Sequence, residues 1–228
     1  MPRIYTMSPI FDAPSIFVDG DYTRDMPQPT GGQGRRRIAP TKGDQRELAI
    51  LDAAERQLED NGLDAMTVET IATAAGITRA ALYFYFSSKH AVLTALVART
   101  VALLLADLDH ADSKAHDPRD ALHRSVLRTA DMWSKHGSVM RAAVELSPTV
   151  PDIDALWQQT VTSTVNTMRA VMIQAGLPDT REPTGAEAVT RSLVWMTERC
   201  FYQASRHGLH LTRVADTVTK VWTSVAKT

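Results

Sequence analysis

The chain has 228 residues, 44% of them hydrophobic, a formal net charge of −1 and one cysteine, Cys200. That length and apolar content suit one mid-sized domain or two small ones with a sizeable core. The near-zero charge excludes an indiscriminate nucleic-acid binder, because no global basic field draws phosphates, and a lone cysteine excludes an internal disulfide framework.

Residues 1–43 differ from the rest. Pro2, Pro9, Pro14, Pro27, Pro29 and Pro40 break any helix, and Gly31, Gly32 and Gly34 add flexibility. The segment reads as a disordered arm that ends in Arg35, Arg36 and Arg37, with Phe11, Ile16, Phe17 and Val18 as a short docking element within it. Helical periodicity starts at Asp44: Asp44-Gln45-Arg46-Glu47 has the form of a capping box, and Leu48, Leu51, Ala54 and Leu58 recur at helical spacing. Asn61-Gly62 gives a stop. Thr67 caps a short helix with Val68, Ile71, Ala72 and Ala75 on one side. Gly76 breaks it, Thr78 caps another short helix to about Phe84, and Ser87 or Ser88 caps a longer one to about His110. Amphipathic helices follow near 119–135, 138–147, 152–175, 185–206 and 212–226, separated by Pro118, Gly137, Pro148 to Pro151, Gly176 to Pro178 and Gly208. The alternating stretch 82–86 is too short and too closely flanked by helix signals to form a strand, so the expected fold class is all-α.

The spacing between 67 and 83 is that of a helix-turn-helix. Small Ala72 lets two helices cross closely, Gly76 takes the left-handed conformation of a tight turn, and Ile77 plugs the angle between them. The second helix then offers Thr78, Arg79, Ala80 and Tyr83 to a major groove. The helix N-termini at Thr67 and at Ser87 or Ser88 can receive backbone phosphates, with Lys89 adding a charge. One of Phe84 and Phe86 must anchor the short helix inward. Arg35, Arg36 and Arg37, just before the first helix, read as a solvated tail or as an arm for the minor groove or phosphates.

Thr67, Ile71-Ala72, Ala75-Gly76-Ile77-Thr78, Leu82-Tyr83-Phe84-Tyr85-Phe86 and Lys89 together resemble the TetR family of bacterial transcriptional repressors, over about residues 46–95. Tyr85 stands where the family commonly has His and still offers a hydroxyl to phosphate. His90 stands where a Glu would complete a capping box after Ser87. The resemblance implies a three-helix DNA-binding domain at 44–90 and a larger helical ligand-binding and dimerisation domain at 91–228. It implies a repressor that binds a palindromic operator as a dimer and is released by a small molecule, with no cofactor, metal or enzymatic activity. The DNA contacts it points to are Thr67, Thr78, Arg79, Ala80, Tyr83, Tyr85 and Lys89, to which the arm reading adds Arg36 and Arg37.

The tryptophans, Trp133, Trp157, Trp195 and Trp222, all lie in the second half. Leu122, Val126, Ala130 and Trp133 share one helix face, and Trp157, Val161, Val165, Met168 and Met172 share another. Large rigid aromatics can wall a cavity rather than fill it, with hydroxyls from Thr129, Thr160, Thr164, Thr197 and Tyr202; the alternative is that these residues simply form the core. The sequence is also similar to a branch of the TetR family whose sensor domain holds a narrow apolar channel. The similarity runs through the first helix (43–51), the aromatic run 82–86, Leu156-Trp157, Met196-Thr197-Glu198-Arg199 and Val221-Trp222-Thr223-Ser224. By that resemblance Trp133, Trp157, Thr197, Phe201 and Trp222 fall on channel positions. Leu122, Thr129 and Thr164 replace aromatics, which implies a roomier or differently shaped site; Val126 and Val161 complete the expected lining for an apolar effector.

Dimerisation is expected through the last two helices, where Val189, Leu193, Met196 and Cys200, then Val214, Val218, Val221 and Val225, recur at three and four. His110, His116, His123 and His136, with Asp107, Asp109 and Asp112, form no recognised metal or catalytic spacing, so an enzyme is the disfavoured reading. A second alternative keeps the fold but acts through protein partners. No apolar run approaches the ~20 residues that span a bilayer and no secretory signal opens the chain, so a soluble cytoplasmic protein without membrane contact is expected.

Overall fold

Every regular element among the described residues is a helix, as the 3.6-residue periodicity predicts. The computed structural model describes residues 41–112 and 117–226, and for 107–112 the backbone only. It distinguishes two units, residues 1–49 and 50–228, each taken by itself. In the first, helix α1 (Lys42–Ala65) begins one residue after Thr41. The Thr41 N–H donates to Asp44 Oδ2 (2.8 Å) and the Asp44 N–H donates to Thr41 Oγ1 (3.2 Å), closing a reciprocal cap. The capping box therefore lies three residues ahead of its expected place at Asp44. Lys42 and Gly43, expected in the arm, are helical. Arg36, Arg37 and the remainder of the arm lie outside the described residues.

In the second unit, α1 is interrupted at Gly62 (φ 75°, ψ 176°), where the Asn61-Gly62 stop was expected. Two short helices follow, α2 (Val68–Ala74) and α3 (Arg79–Tyr85), and then the long α4 (Lys89–Asp112). Asp117 caps α5 (Pro118–Lys135): its Oδ1 accepts from the Arg119 N–H (2.9 Å), and Pro118 occupies the first turn, where a missing N–H costs nothing. Helices α6 (Gly137–Leu146), α7 (Pro151–Gln174), α8 (Ala186–Arg206) and α9 (Leu211–Val225) complete the chain. Their ends fall within a residue or so of the expected ranges, because proline, glycine and polar turns mark each boundary.

Helix α4 packs on α5, α6 and α7; α7 packs on α8; α5 and α8 both meet α9. One expectation is corrected here. The stretch Lys89–Ala106 of α4 is long and apolar enough, by length and composition, to cross a membrane. In the fold Val92, Leu93, Leu96, Val97, Val101 and Leu104 are buried in the core. The apolar run continues around α4 because neighbours cover several of its sides.

Candidate functional site

The helix-turn-helix head (α2 and α3) and the start of α4 are fixed by four caps. Thr67 Oγ1 accepts from the Thr70 N–H (3.1 Å) while the Thr67 N–H donates to Thr70 Oγ1 (2.9 Å), which fixes the start of α2. At its end the Gly76 N–H donates to Thr73 O (3.1 Å) and the Ile77 N–H to Ala72 O (3.0 Å), with Gly76 at φ 64°. This paired pattern requires a left-handed residue, which glycine adopts without a Cβ penalty. Thr78 Oγ1 then accepts from the Ala81 N–H (3.1 Å) and starts α3. Of the two candidate caps for α4, Ser88 is used: its Oγ accepts from the Ala91 N–H (3.1 Å). The absent Glu at position 90 is therefore immaterial, since that box would have belonged to Ser87.

Helix α3 buries Leu82 completely and exposes Thr78, Arg79, Ala80 and Tyr83, the face expected to read DNA. Phe86 is the inward anchor, whereas Phe84 is 72% exposed. The Arg79 Nη2 donates to Tyr83 Oη (3.2 Å), and the guanidinium carbon sits 5.5 Å from the Tyr83 ring centre. An i,i+4 pair of this kind presets both side chains on one face. Tyr85 is half-buried against the core and meets Phe84 edge-on. Lys89 departs from expectation: its Nζ donates to Met66 O (3.0 Å) and Leu63 O (3.4 Å), so the ammonium closes the carbonyl end of α1 instead of standing free for phosphate.

Two ion pairs and a histidine join α1 to α4 and α6. Arg99 Nη1 donates to Asp52 Oδ1 (2.6 Å) and Nη2 to Glu55 Oε2 (2.7 Å). The other oxygen of Glu55 lies 2.5 Å from Nδ1 of His136, the residue that precedes α6.

Between α4, α5, α6, α7, α8 and α9 lies a cavity whose enclosed space is about 70 Å³, opening into a wider mouth that brings the total to about 630 Å³ with its solvent. Eight of the ten expected residues line it: Val126, Thr129, Trp133, Trp157, Val161, Thr164, Thr197 and Trp222. Leu122 and Phe201 do not. Both are wholly buried in the core, one turn before Val126 and one turn after Thr197, where a shared helix face no longer reaches the cavity. Thr160 and Met168, placed on the right helix from sequence, also line it, whereas Tyr202 hydrogen-bonds to Glu145 (3.1 Å) instead. Leu104, Ser125, Met140, Val194 and Glu198 complete the wall, and no sequence pattern singled them out.

The polar groups of the wall are specific. Thr129 Oγ1 donates to Ser125 O (2.9 Å), Thr160 Oγ1 to Leu156 O (2.7 Å) and Thr197 Oγ1 to Leu193 O (2.7 Å). Their hydrogens are spent on helix carbonyls, so these three present oxygens. Trp222 Nε1 donates to the Thr197 oxygen (2.9 Å), which ties α9 to α8. Glu198 is the charged residue of the lining, and burial pushes its carboxyl pKa above the ordinary value, with Arg199 pulling the other way.

On α8 and α9 the expected dimer stripe divides. Val189, Met196, Cys200, Val214, Val221 and Val225 remain half-exposed, while Leu193 and Val218 are buried inside the chain's own core. The reason is that α9 turns Ala215, Val218 and Trp222 toward its neighbours α5 and α8. Among the described residues no cluster of His, Cys, Asp and Glu could hold a metal ion; His110 and His116, with Asp107, Asp109 and Asp112, fall where no side chain is described.

Residues 50–96 match the model described as "Bacterial regulatory proteins, tetR family", and residues 122–226 match "Transcriptional regulator EthR, C-terminal domain". The chain is 31% identical over 198 residues to the HTH-type transcriptional regulator EthR of Mycolicibacterium smegmatis, covering 83% of this chain and 89% of that one. It is 32% identical over 202 residues to EthR of Mycobacterium tuberculosis, covering 83% and 90%. Among solved structures, the fatty acid degradation regulator FadR of Bacillus halodurans superposes with a TM-score of 0.67 at 15% identity, over 82% of this chain and 96% of that one. A TetR transcription regulator of Haloarcula marismortui gives 0.67 at 20% identity, over 80% and 96%. At those identities the two structures speak to the fold alone.

Proposed function

Because the chain belongs to the TetR family of bacterial regulatory proteins and is an EthR-like member of it, we propose that it is a repressor that grips a palindromic operator as a homodimer and lets go when an apolar small molecule fills the cavity. In this reading Arg79, Ala80 and Tyr83 meet base edges, Thr67, Thr78 and Tyr85 meet backbone phosphates, and Arg36 and Arg37 add contacts from the arm. Lys89 is left out, since its ammonium is held by two carbonyls. The half-exposed stripes of α8 and α9 supply the dimer seam, which sets the two recognition helices about 34–36 Å apart, one turn of B-DNA. The protein works in the cytoplasm, where the operator is.

The observation that carries the proposal is a tryptophan-walled cavity in the same chain as an exposed, preset recognition face. A ligand that prefers one shape of the dimer and DNA that prefers the other must weaken each other's binding by the same factor. Footprinting the intergenic DNA beside the gene tests this, with and without a panel of apolar compounds that quench or enhance tryptophan fluorescence. Two symmetric protected half-sites that fade with a fluorescence-active compound are expected. Protection that is absent, or indifferent to every compound that enters the cavity, refutes the reading.

A further inference from the structure

We propose that Glu198 is the polar anchor of the cavity and that its effector is an apolar molecule carrying a protonated amine; this deepens, and rests on, the reading of the cavity as the effector site.

Glu198 lines the cavity, and its Oε1 is sealed from solvent with no hydrogen-bond partner among the described residues. Buried carboxylate oxygens are ordinarily paired, so an unpaired one on a residue of the cavity wall marks a place where a small shift of the side chain lets a ligand supply the partner. Arg199, next in sequence, does not fill that role: its guanidinium stacks over the Tyr202 ring, 5.1 Å from the centre. The rest of the wall has the same polarity. Thr129 and Thr160 have turned their hydroxyl hydrogens back to Ser125 and Leu156, so both present oxygen. An ammonium brings N–H groups for such acceptors and a positive charge for the carboxylate, and burial strengthens that pairing because water does not compete for it. A fatty acid would place a second carboxylate beside the first, and a neutral alcohol would gain only an ordinary hydrogen bond. Burial raises the Glu198 carboxyl pKa, with Arg199 offsetting part of the rise, so the desolvated carboxylate gains from a cation brought beside it.

The test uses the full-length dimer and three sub-micellar probes with one tail: decylamine, 1-decanol and decanoate. Binding is read by tryptophan fluorescence and by melting-temperature shift. The wild type should bind decylamine about tenfold more tightly than 1-decanol, as expected for one charge-assisted bond replacing a neutral one, with decanoate weakest. Glu198→Gln keeps the size and hydrogen-bonding capacity and removes the charge. It should bring decylamine to within about twofold of 1-decanol while leaving 1-decanol unchanged. If 1-decanol or decanoate matches decylamine on the wild type, the anchor is refuted whatever the variant does, and the cavity reading survives. If the folded variant keeps its preference for decylamine, the anchor is refuted as well. If no probe binds the wild type, the anchor and the cavity reading fall together.

Discussion

Replacing Thr197 by Val keeps the shape of the side chain and removes the oxygen that joins α8 to α9. In the wild type that oxygen accepts from Trp222 Nε1 (2.9 Å), and its own hydrogen goes to Leu193 O (2.7 Å). Valine leaves the indole N–H without an acceptor, and Trp222 is only 2% exposed. A buried donor left unpaired costs about 1–3 kcal/mol; Leu193 O loses only a supplementary bond. In a protein of this size each kcal/mol moves the melting temperature by roughly 2–4 °C, so a fall of roughly 2–12 °C is expected. Trp222→Phe removes the donor instead, so its polar part is only the net value of one hydrogen bond, about 0.5–1.5 kcal/mol, added to lost packing. In the Thr197→Val background that polar part disappears, and the double-mutant cycle should show about 1 kcal/mol of coupling. Thermal and urea unfolding at one fixed protein concentration is the assay, since the proposed dimer would make apparent stability depend on concentration. A Thr197→Val melt within about 1 °C of wild type, or a strictly additive cycle, refutes the reasoning: the indole would then have another partner, and this bond would not tie the two helices.

Three further outcomes follow. Arg79→Ala and Tyr83→Phe should each weaken operator binding about tenfold or more if they read bases, without lowering the melting temperature; if Arg79 meets phosphate instead, its loss should flatten the salt dependence. Operator titrations at several salt concentrations decide between the two. Deleting residues 1–34 should leave affinity unchanged, whereas deleting 1–37 should lower it and reduce the salt slope by about 0.9 for each phosphate that the arm no longer neutralises. Glu198→Gln should change the pH profile of stability. Desolvation raises the native carboxyl pKa above its ordinary 4.5, so the native chain holds a proton that the unfolded chain releases, and wild-type stability falls as pH climbs from 4.5 through the raised value. The variant should therefore be the more stable protein at neutral pH, with an advantage that shrinks as pH is lowered toward 4.5, measured by urea unfolding at several pH values.

The head was legible because local chemistry dictates it. Thr67, Gly76 and Thr78 each do what their residue type requires, within three or four residues along the chain. The cavity was legible in part: helix faces carrying Val126 and Trp133, or Trp157 and Val161, declare which way they point. Depth along a face is not declared, so Leu122 and Phe201 were expected at a surface that ends one turn short of them. Interactions between residues distant in sequence were invisible. Lys89 reaches carbonyls 23 and 26 residues away, and no local pattern separates that from a lysine awaiting phosphate. Sequence alone does not single out Glu198, because a charged residue on an amphipathic helix belongs to solvent by default. Its neighbour Thr197, already placed in the wall, was the available signal.

The Glu55 carboxylate has one oxygen on Arg99 of α4 and the other beside His136, which immediately precedes α6. A forked attachment of this kind makes the position of residues 50–65 of α1 depend on two helices at once, and both contribute side chains to the cavity wall, Leu104 and Met140. If α4 and α6 shift together, the fork carries residues 50–65 of α1 with them. If they shift apart, one tine must detach, at a net cost of about 1.5–3 kcal/mol for a bond to a charged group. That is the size of a typical coupling energy between distant sites. Under the proposed ligand-controlled release, the fork is a gear between the cavity wall and α1: motions that keep its three helices in step pass freely, and motions that separate them meet that resistance.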